Sequence, residues 1–235
     1  MNDKTLFVIS CILAVALAIW TVFAKPEGLL LLVSIQLVVI ILLIAGVVWF
    51  FQSKNKLLRR MGLKKVYDRR KKATDKEYEF ISGANRSLVF VGIMHRSLWN
   101  YREQLEKALL SISDRNVEVK FYLSSPESPE LRRRAADEAD LAGDWPEQIR
   151  LQISRFRHFK ERYPTFNLSV FTYDAYPVWH IILRDDSRAL VGWYPLGHTG
   201  YDAPLYELTR DPHSSLFAPI ELWFRSLERN ATKVL

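Results

Sequence analysis

The sequence predicts an α/β protein, with an N-terminal two-helix transmembrane hairpin ahead of a cytosolic α/β domain built on a mixed sheet. Three observations carry that expectation. Two uncharged stretches of membrane-spanning length open the 235-residue chain. A dense run of cations follows them. After that, short apolar runs and amphipathic stretches succeed one another in the order β-α-β-α-α-β-β-β-α.

The first uncharged stretch runs from Thr5 to Ala24 and the second from Gly28 to Ser53, with only Lys25-Pro26-Glu27 between them. A helix needs roughly 20 apolar residues to cross a hydrocarbon core of about 30 Å, so spans are expected at 5–24 and 28–52. Pro26 suits the turn, because it lacks an N–H and disfavours helix at the residue before it. Val22-Phe23-Ala24 loosely resembles a signal cleavage site, but the apolar run before it exceeds the roughly 7–15 residues of a secretory signal. Gln36 is the only strongly polar side chain in the spans, and it either hydrogen-bonds between helices or is tolerated alone. Cys11 is the sole cysteine and lies in the first span, which excludes an intramolecular disulfide and a cysteine-based zinc or catalytic site in the rest of the chain.

The formal charge of +7 suggests a nucleic-acid binder until it is placed along the sequence. Residues 1–53 are neutral overall, and residues 73–235 hold 21 basic against 23 acidic side chains. The whole excess sits in 54–72, where Lys54, Lys56, Arg59, Arg60, Lys64, Lys65, Arg69, Arg70, Lys71 and Lys72 face Asp68 alone. Such an excess stays cytoplasmic, which places both termini in the cytosol of an inner-membrane, two-span protein. Beside a bilayer these cations are membrane-surface residues, each worth about 1 kcal/mol against anionic headgroups. Leu57, Leu58, Met61, Leu63 and Val66 make the stretch amphipathic, so an interfacial helix is expected to continue through it. No direct nucleic-acid binding is expected from the overall charge.

In the cytosolic domain, 73–235, Leu88 to Met94 is an apolar run suited to a buried strand. Ser97 caps a helix whose apolar positions Leu98, Tyr101, Leu105, Ala108, Leu109 and Ile112 recur at three and four. Val117 to Leu123 alternates as a second strand, and strand-helix-strand predicts a parallel unit. Ser128-Pro129 starts a helix that breaks at Gly143, and Asp144 with Pro146 and Glu147 starts another that ends before Pro164. Strands follow at 168–173, 178–183 and 189–193, the last two joined through Asp185-Asp186-Ser187 as a hairpin. A final helix is expected over about 215–229, with Ile220, Trp223, Phe224 and Leu227 inward.

No Walker loop, G-x-G-x-x-G, G-x-S-x-G or H-E-x-x-H occurs, which argues against nucleotide hydrolysis, dinucleotide chemistry, serine hydrolysis and zinc peptidase activity. No cofactor and no metal is expected. The candidates that remain are His180 and Asp185 near strand ends. His95-Arg96-Ser97 is a candidate anion site, where a helix start offers backbone N–H groups beyond the first strand. Arg132-Arg133-Arg134 reads as a solvated face or a contact for an acidic partner. The aromatic stretch from Tyr173 to Tyr206 reads as core, with a protein or base-stacking surface as the alternative.

From about Ala84 to Trp193 the chain resembles a single lobe of the phospholipase D-like superfamily. The resemblance rests on the order of elements, on Leu88-Val-Phe-Val-Gly-Ile93, on Val117-Glu-Val-Lys-Phe-Tyr-Leu-Ser-Ser-Pro126, and on Trp179-His-Ile-Ile-Leu-Arg-Asp-Asp-Ser-Arg-Ala-Leu-Val-Gly192. It implies a His-x-Lys followed by four residues and Asp, with His as nucleophile on a phosphodiester and Lys holding phosphate. His180 matches, but Ile182 stands at the Lys position and Ser187 at the Asp position. An apolar Ile cannot stabilise developing phosphoryl charge. The lobe therefore reads as catalytically degenerate, with His180 an ordinary strand histidine satisfied by a carbonyl or by Asp185.

The layout, two spans joined to a small cytosolic domain, is similar to effectors of bacterial anti-phage systems, including two-span proteins encoded beside retron reverse transcriptases. That similarity implies an oligomeric membrane-disrupting toxin, with a reverse transcriptase bound to its multicopy RNA–DNA as partner. The alternatives are a membrane-anchored phosphodiesterase using His180 and a passive membrane adaptor.

Overall fold

The structure is a computed structural model, and it describes residues 26–95, 98–99, 102–137, 144–195, 200–211 and 216–235. The first predicted span, 5–24, lies outside the described residues, as do Arg96 and Ser97. The chain divides into two compact units, Met1–Leu58 and Arg59–Leu235.

The first unit is dominated by α1, Pro26–Arg60, which contains the predicted second span. At 1.5 Å per residue, its 35 residues reach about 50 Å. Among its described side chains Leu37, Ile40, Ile41, Leu42, Ile44, Val47, Val48 and Trp49 are all exposed. Successive positions such as 40, 41 and 42 point in different directions around a helix, so this surface is apolar on every side and not along one stripe. Among the described residues no helix is long and apolar enough to cross a membrane.

In the second unit eight strands form one mixed sheet in the order β1-β7-β6-β5-β2-β3-β4-β8. They are β1 Leu63–Tyr67, β2 Ser87–Gly92, β3 Glu118–Ser124, β4 Leu168–Tyr173, β5 Trp179–Arg184, β6 Arg188–Trp193, β7 Leu205–Thr209 and β8 Thr232–Lys233. Strands β2, β3 and β4 are parallel, as the crossover pattern predicts, and every other pairing is antiparallel. Helices α2 (Thr74–Ser82), α3 (Arg102–Leu110), α4 (Pro129–Asp137) and α5 (Trp145–Arg162) belong to the connections before β2 and around the parallel strands, and α6 (Phe217–Arg229) follows β7.

The period-2 pattern of the strands sorts the core into two layers. Leu88, Phe90, Val119, Phe121, Leu123, Val170, Ile182 and Leu190 join residues of α2, α3 and α5 in one cluster. Val89, Val91, Tyr122, Ile181, Leu183 and Val191 join Phe217, Ile220, Phe224 and Leu227 of α6 in the other. Trp223, expected inward, is only partly buried against this second layer.

Local signals behave as their chemistry demands. Asp144 accepts a hydrogen bond from the Glu147 N–H at 3.2 Å and opens α5 with a proline in its first turn. Ser128 Oγ accepts from the Leu131 N–H at 3.4 Å ahead of α4. Asp185 and Asp186 take φ of 53° and 54° at the centre of a tight turn, closed by the Ser187 N–H donating to the Arg184 carbonyl at 3.2 Å, within the three-residue loop between β5 and β6.

The expected interfacial helix through the basic stretch does not extend past Arg60. Gly62, at φ 87°, reverses the chain, and residues 63–67 join the sheet as edge strand β1. Strands β1, β7 and β8 and helix α2 were not expected from the sequence. They add four elements to the predicted order and bring part of the basic segment into the domain.

Candidate functional site

His180 is the second residue of β5, and its side chain leaves the sheet on the same face as Ile182. Opposite it on β6 is Gly192, and one further step in the β2–β5 register brings Gly92 beside it on the other flank. A histidine between two glycines has no neighbouring side chain across either strand. The space is taken by groups arriving from loops and helices at that end of the sheet.

Glu77, on α2, places Oε1 3.6 Å from His180 Nε2, farther than a hydrogen bond. Arg70, in a single 3-10 turn between β1 and α2, grips the same carboxylate with both arms. Its Nε donates to Oε1 at 2.6 Å and a terminal nitrogen donates to Oε2 at 3.3 Å. His95, just past β2 and at φ 50°, brings its ring centroid to 5.4 Å from that of His180 and rests edge-on against Phe90 and Phe121. Tyr194, after β6, directs its hydroxyl to the Ile93 N–H, which donates to it at 3.4 Å. Arg134 on α4 donates to the Pro195 carbonyl at 2.8 Å. Arg70, Glu77, His95, Arg134 and His180 are each at most 4% exposed.

Electrostatics follow from this burial. Desolvation pulls His180 down to about 4, the Arg70 charge pushes the same way, and Glu77 only partly opposes them. Burial likewise takes His95 well below its ordinary value, with His180 and Arg70 adding to the shift. Burial alone would raise Glu77, but Arg70 and then His180 outweigh it and hold the carboxyl at about 2. At neutral pH the site is an Arg⁺–Glu⁻ pair beside two uncharged imidazoles. Among the described residues, none of the four imidazole nitrogens has a hydrogen-bond partner. The Ser124 hydroxyl at the end of β3 and the Tyr173 hydroxyl at the end of β4 are similarly unpartnered among them. The imidazoles and the Arg70–Glu77 pair lie at the carboxyl end of β2, the end of a parallel sheet where open α/β folds bind ligands, while Tyr173 packs in the other core layer.

The sequence-derived candidates divide accordingly. His180 and His95 come together, whereas Asp185 sits at the opposite end of β5 and does not satisfy His180. Its carboxylate accepts from the backbone N–H groups of Asn85, Arg86 and Ser87 at 2.7–3.2 Å and caps the loop that leads into β2. The partner of His180 is Glu77, an acid that no motif singled out. Ile182, where the resemblance expected a lysine, is fully buried in the core.

Of the membrane-surface set, Lys56, Arg59, Arg60, Lys65, Arg69, Lys71 and Lys72 are exposed, and the side chain of Lys54 lies outside the described residues. Lys64 is half-exposed and reaches Glu207 at 3.2 Å. Arg70 is no surface cation, because its guanidinium is inside, on Glu77. Arg134, grouped with its neighbours as a solvated face, is also buried, while Arg132 and Arg133 remain exposed. In the aromatic stretch Trp193 stacks on Tyr206 with centroids 5.6 Å apart, and Tyr176 donates to Asp137 at 2.8 Å. Among the described residues no group of three or more His, Cys, Asp or Glu side chains is placed to hold a metal ion.

No family model matches the sequence, and no curated protein matches it. Among solved structures, TrmBL2, an archaeal chromatin protein, is similar with a TM-score of 0.45 and 14% identity over 90% of this chain and 72% of that one. Phosphatidylserine synthase of Haemophilus influenzae is similar with a TM-score of 0.45 and 16% identity, covering 67% of this chain and 36% of that one. The phospholipase D family member Nuc of Salmonella typhimurium is similar with a TM-score of 0.39 and 12% identity, covering 68% and 90%.

Proposed function

We propose that this chain is an inner-membrane effector of a retron-type anti-phage system. A catalytically degenerate phospholipase D-like lobe faces the cytosol and senses a partner, and the transmembrane hairpin disrupts the membrane on activation. The observation that carries the non-hydrolytic half is the state of His180. It is 1% exposed, held beside Glu77, and followed two residues later by a buried Ile182. A phosphodiester would have to displace core side chains to reach it, and no lysine waits to hold the phosphate. The membrane half is supported by the apolar surface of α1 and by the exposed cations that follow it, which fix both termini in the cytosol and contact anionic lipid. The partner, a reverse transcriptase with its multicopy RNA–DNA acting on an oligomer of this chain, is taken from the two-span layout.

Expression of the full chain, measured with a membrane-potential dye, tests this reading. Depolarisation that survives His180→Ala is the expected outcome. An intact potential at every expression level defeats the effector assignment. A second reading, a membrane-anchored phosphodiesterase, is favoured by one observation: Arg70 places a cation in the cluster that lacks the family's lysine. Hydrolysis of a chromogenic phosphodiester that disappears in His180→Ala would select it.

A further inference from the structure

Of the six cations between the end of α1 and residue 72, Arg70 is the one whose side chain is buried, and it is held from three directions. Its guanidinium is bidentate on Glu77 of α2. Its own N–H donates to the Ala203 carbonyl at 2.9 Å, and the next N–H, that of Lys71, donates to the Tyr201 carbonyl at 3.1 Å. The Tyr201 ring lies 5.7 Å from the guanidinium carbon. Only nine residues separate Arg70 from the end of α1 at Arg60, and five of them form β1.

That strand is lightly attached. It is at the edge of the sheet, its register to β7 shifts between Leu63 and Lys65, and Val66 is half-exposed. The segment 63–72 is fixed by one irregular ladder, two backbone hydrogen bonds, the buried Arg70–Glu77 pair, the contacts of Lys64 and Tyr67 with Glu207 and of Lys71 with Asp202, and the partly buried Leu63 and Tyr67; of its side chains Arg70 alone is fully buried. A buried pair gives little net stability while intact, yet removing one partner leaves an uncompensated charge, so its occupancy acts as a switch more than as a brace.

We propose that Arg70–Glu77 is an autoinhibitory latch. Closed, it fastens the juxtamembrane segment 63–72 to the His180 site. Open, it frees β1 and the 69–72 turn from the sheet and so lengthens the free chain that leads from the domain to α1. This rests on the effector reading, and it adds where the signal crosses from site to membrane. Opening is a local event, because β2, β3 and β4 keep all their pairings without β1. The imidazoles of His95 and His180 flank the latch with nitrogens that find no partner among the described residues, so an entering group would meet donors and acceptors beside the ion pair.

The test uses the full chain in vesicles of phosphatidylethanolamine and phosphatidylglycerol, with amide hydrogen exchange and dye leakage read on the same preparation. In Glu77→Gln the Arg70 and Lys71 amides should exchange at least about tenfold faster while β2–β4 stay protected, and leakage should rise above that of the parent chain. If Glu77→Gln does not fold, the neutral pair Arg70→Met/Glu77→Gln serves, since it removes the ion pair without stranding a charge. Val66 and Tyr206 are direct cross-strand partners, so Val66→Cys/Tyr206→Cys, added to Glu77→Gln in a Cys11→Ala background, locks β1 to β7 when oxidised although the latch is open. The oxidised chain should not leak, and reductant should restore leakage. Unchanged exchange at residues 70 and 71, exchange that rises equally across β2–β4, or leakage indifferent to the disulfide overturns the latch. A parent chain that never leaks, even with β1 released, overturns the effector reading instead, and the exchange result still decides whether the latch opens.

Discussion

Gly92 leaves open the place through which the Tyr194 hydroxyl passes: a Cβ at residue 92 would stand 2.7 Å from that oxygen and 3.2 Å from His95 Cε1. Both neighbours are held in the site, so neither yields freely. Gly92→Ala should cost about 1–3 kcal/mol, the range for overpacking, and push the hydroxyl off the Ile93 N–H. Gly192→Ala, whose added carbon would meet the Pro204 carbonyl at 3.4 Å, should be much milder. Thermal melts of the two variants beside the parent chain check the contrast, and equal melting points would contradict it.

Asp185 is a structural acid. Asp185→Ala removes the acceptor of three backbone N–H groups at once and should destabilise the domain by about 1–3 kcal/mol in a denaturant titration. Asp185→Asn keeps a side chain that tolerates positive φ and retains one acceptor oxygen, so it should lose less. Were Asp185 a partner of His180, its removal would instead change the histidine's titration followed by NMR, and no such change is expected.

The site makes the domain acid-sensitive over a defined range. His180 is depressed from 6.5 to about 4, so the unfolded chain binds the extra proton first, and stability falls as pH drops from about 6.5 toward 4. Burial of His95 acts in the same direction. Glu77, depressed from 4.5 to about 2, contributes stability that is present above pH 4.5 and lost between 4.5 and 2. Denaturation midpoints measured across this range should therefore slope upward with pH and flatten above 6.5. In His180→Gln the upper part of the slope should shrink, and an unchanged slope would remove His180 from the account.

Placing a lysine at residue 182 should not create an active site. Ile182 is fully buried between Phe90 on β2 and Leu190 on β6, so Ile182→Lys places an ammonium in the core. The expected outcome is loss of several kcal/mol of stability with no phosphodiesterase activity gained. A folded Ile182→Lys chain that hydrolyses a phosphodiester would show that the site is open to substrate.

Much of the sheet was legible because its strands are long, apolar runs with turn chemistry between them. Asp144, Ser128 and the Asp185-Asp186 turn announce themselves by local hydrogen bonding, which needs no tertiary context. Strand β1, Leu-Lys-Lys-Val-Tyr, was hidden because an edge strand with one wet face carries cations as readily as a membrane-flanking segment does. Strand β7 was hidden because Glu207, an unpromising strand residue, is accommodated by Arg188, Lys64 and the Tyr67 hydroxyl from its neighbours, none of them adjacent in sequence. His180 could be found through a motif, but Glu77 and Arg70 could not. Seven residues apart and in different elements, they are joined by burial, and in the sequence one looks like any helix acid and the other like one of ten lysines and arginines.

The edges of the sheet also bear on how the protein behaves when crowded in two dimensions. A sheet of eight strands ends on one side in β8, two residues long, and on the other in β1, which displays Lys64 and Lys65. Short strands and lysines are the devices that keep a sheet from recruiting another copy of itself. The domain thus offers no sheet edge ready to pair with another copy, so self-association must use other surfaces, and replacing Lys64 and Lys65 with threonine should raise light scattering above that of the parent chain.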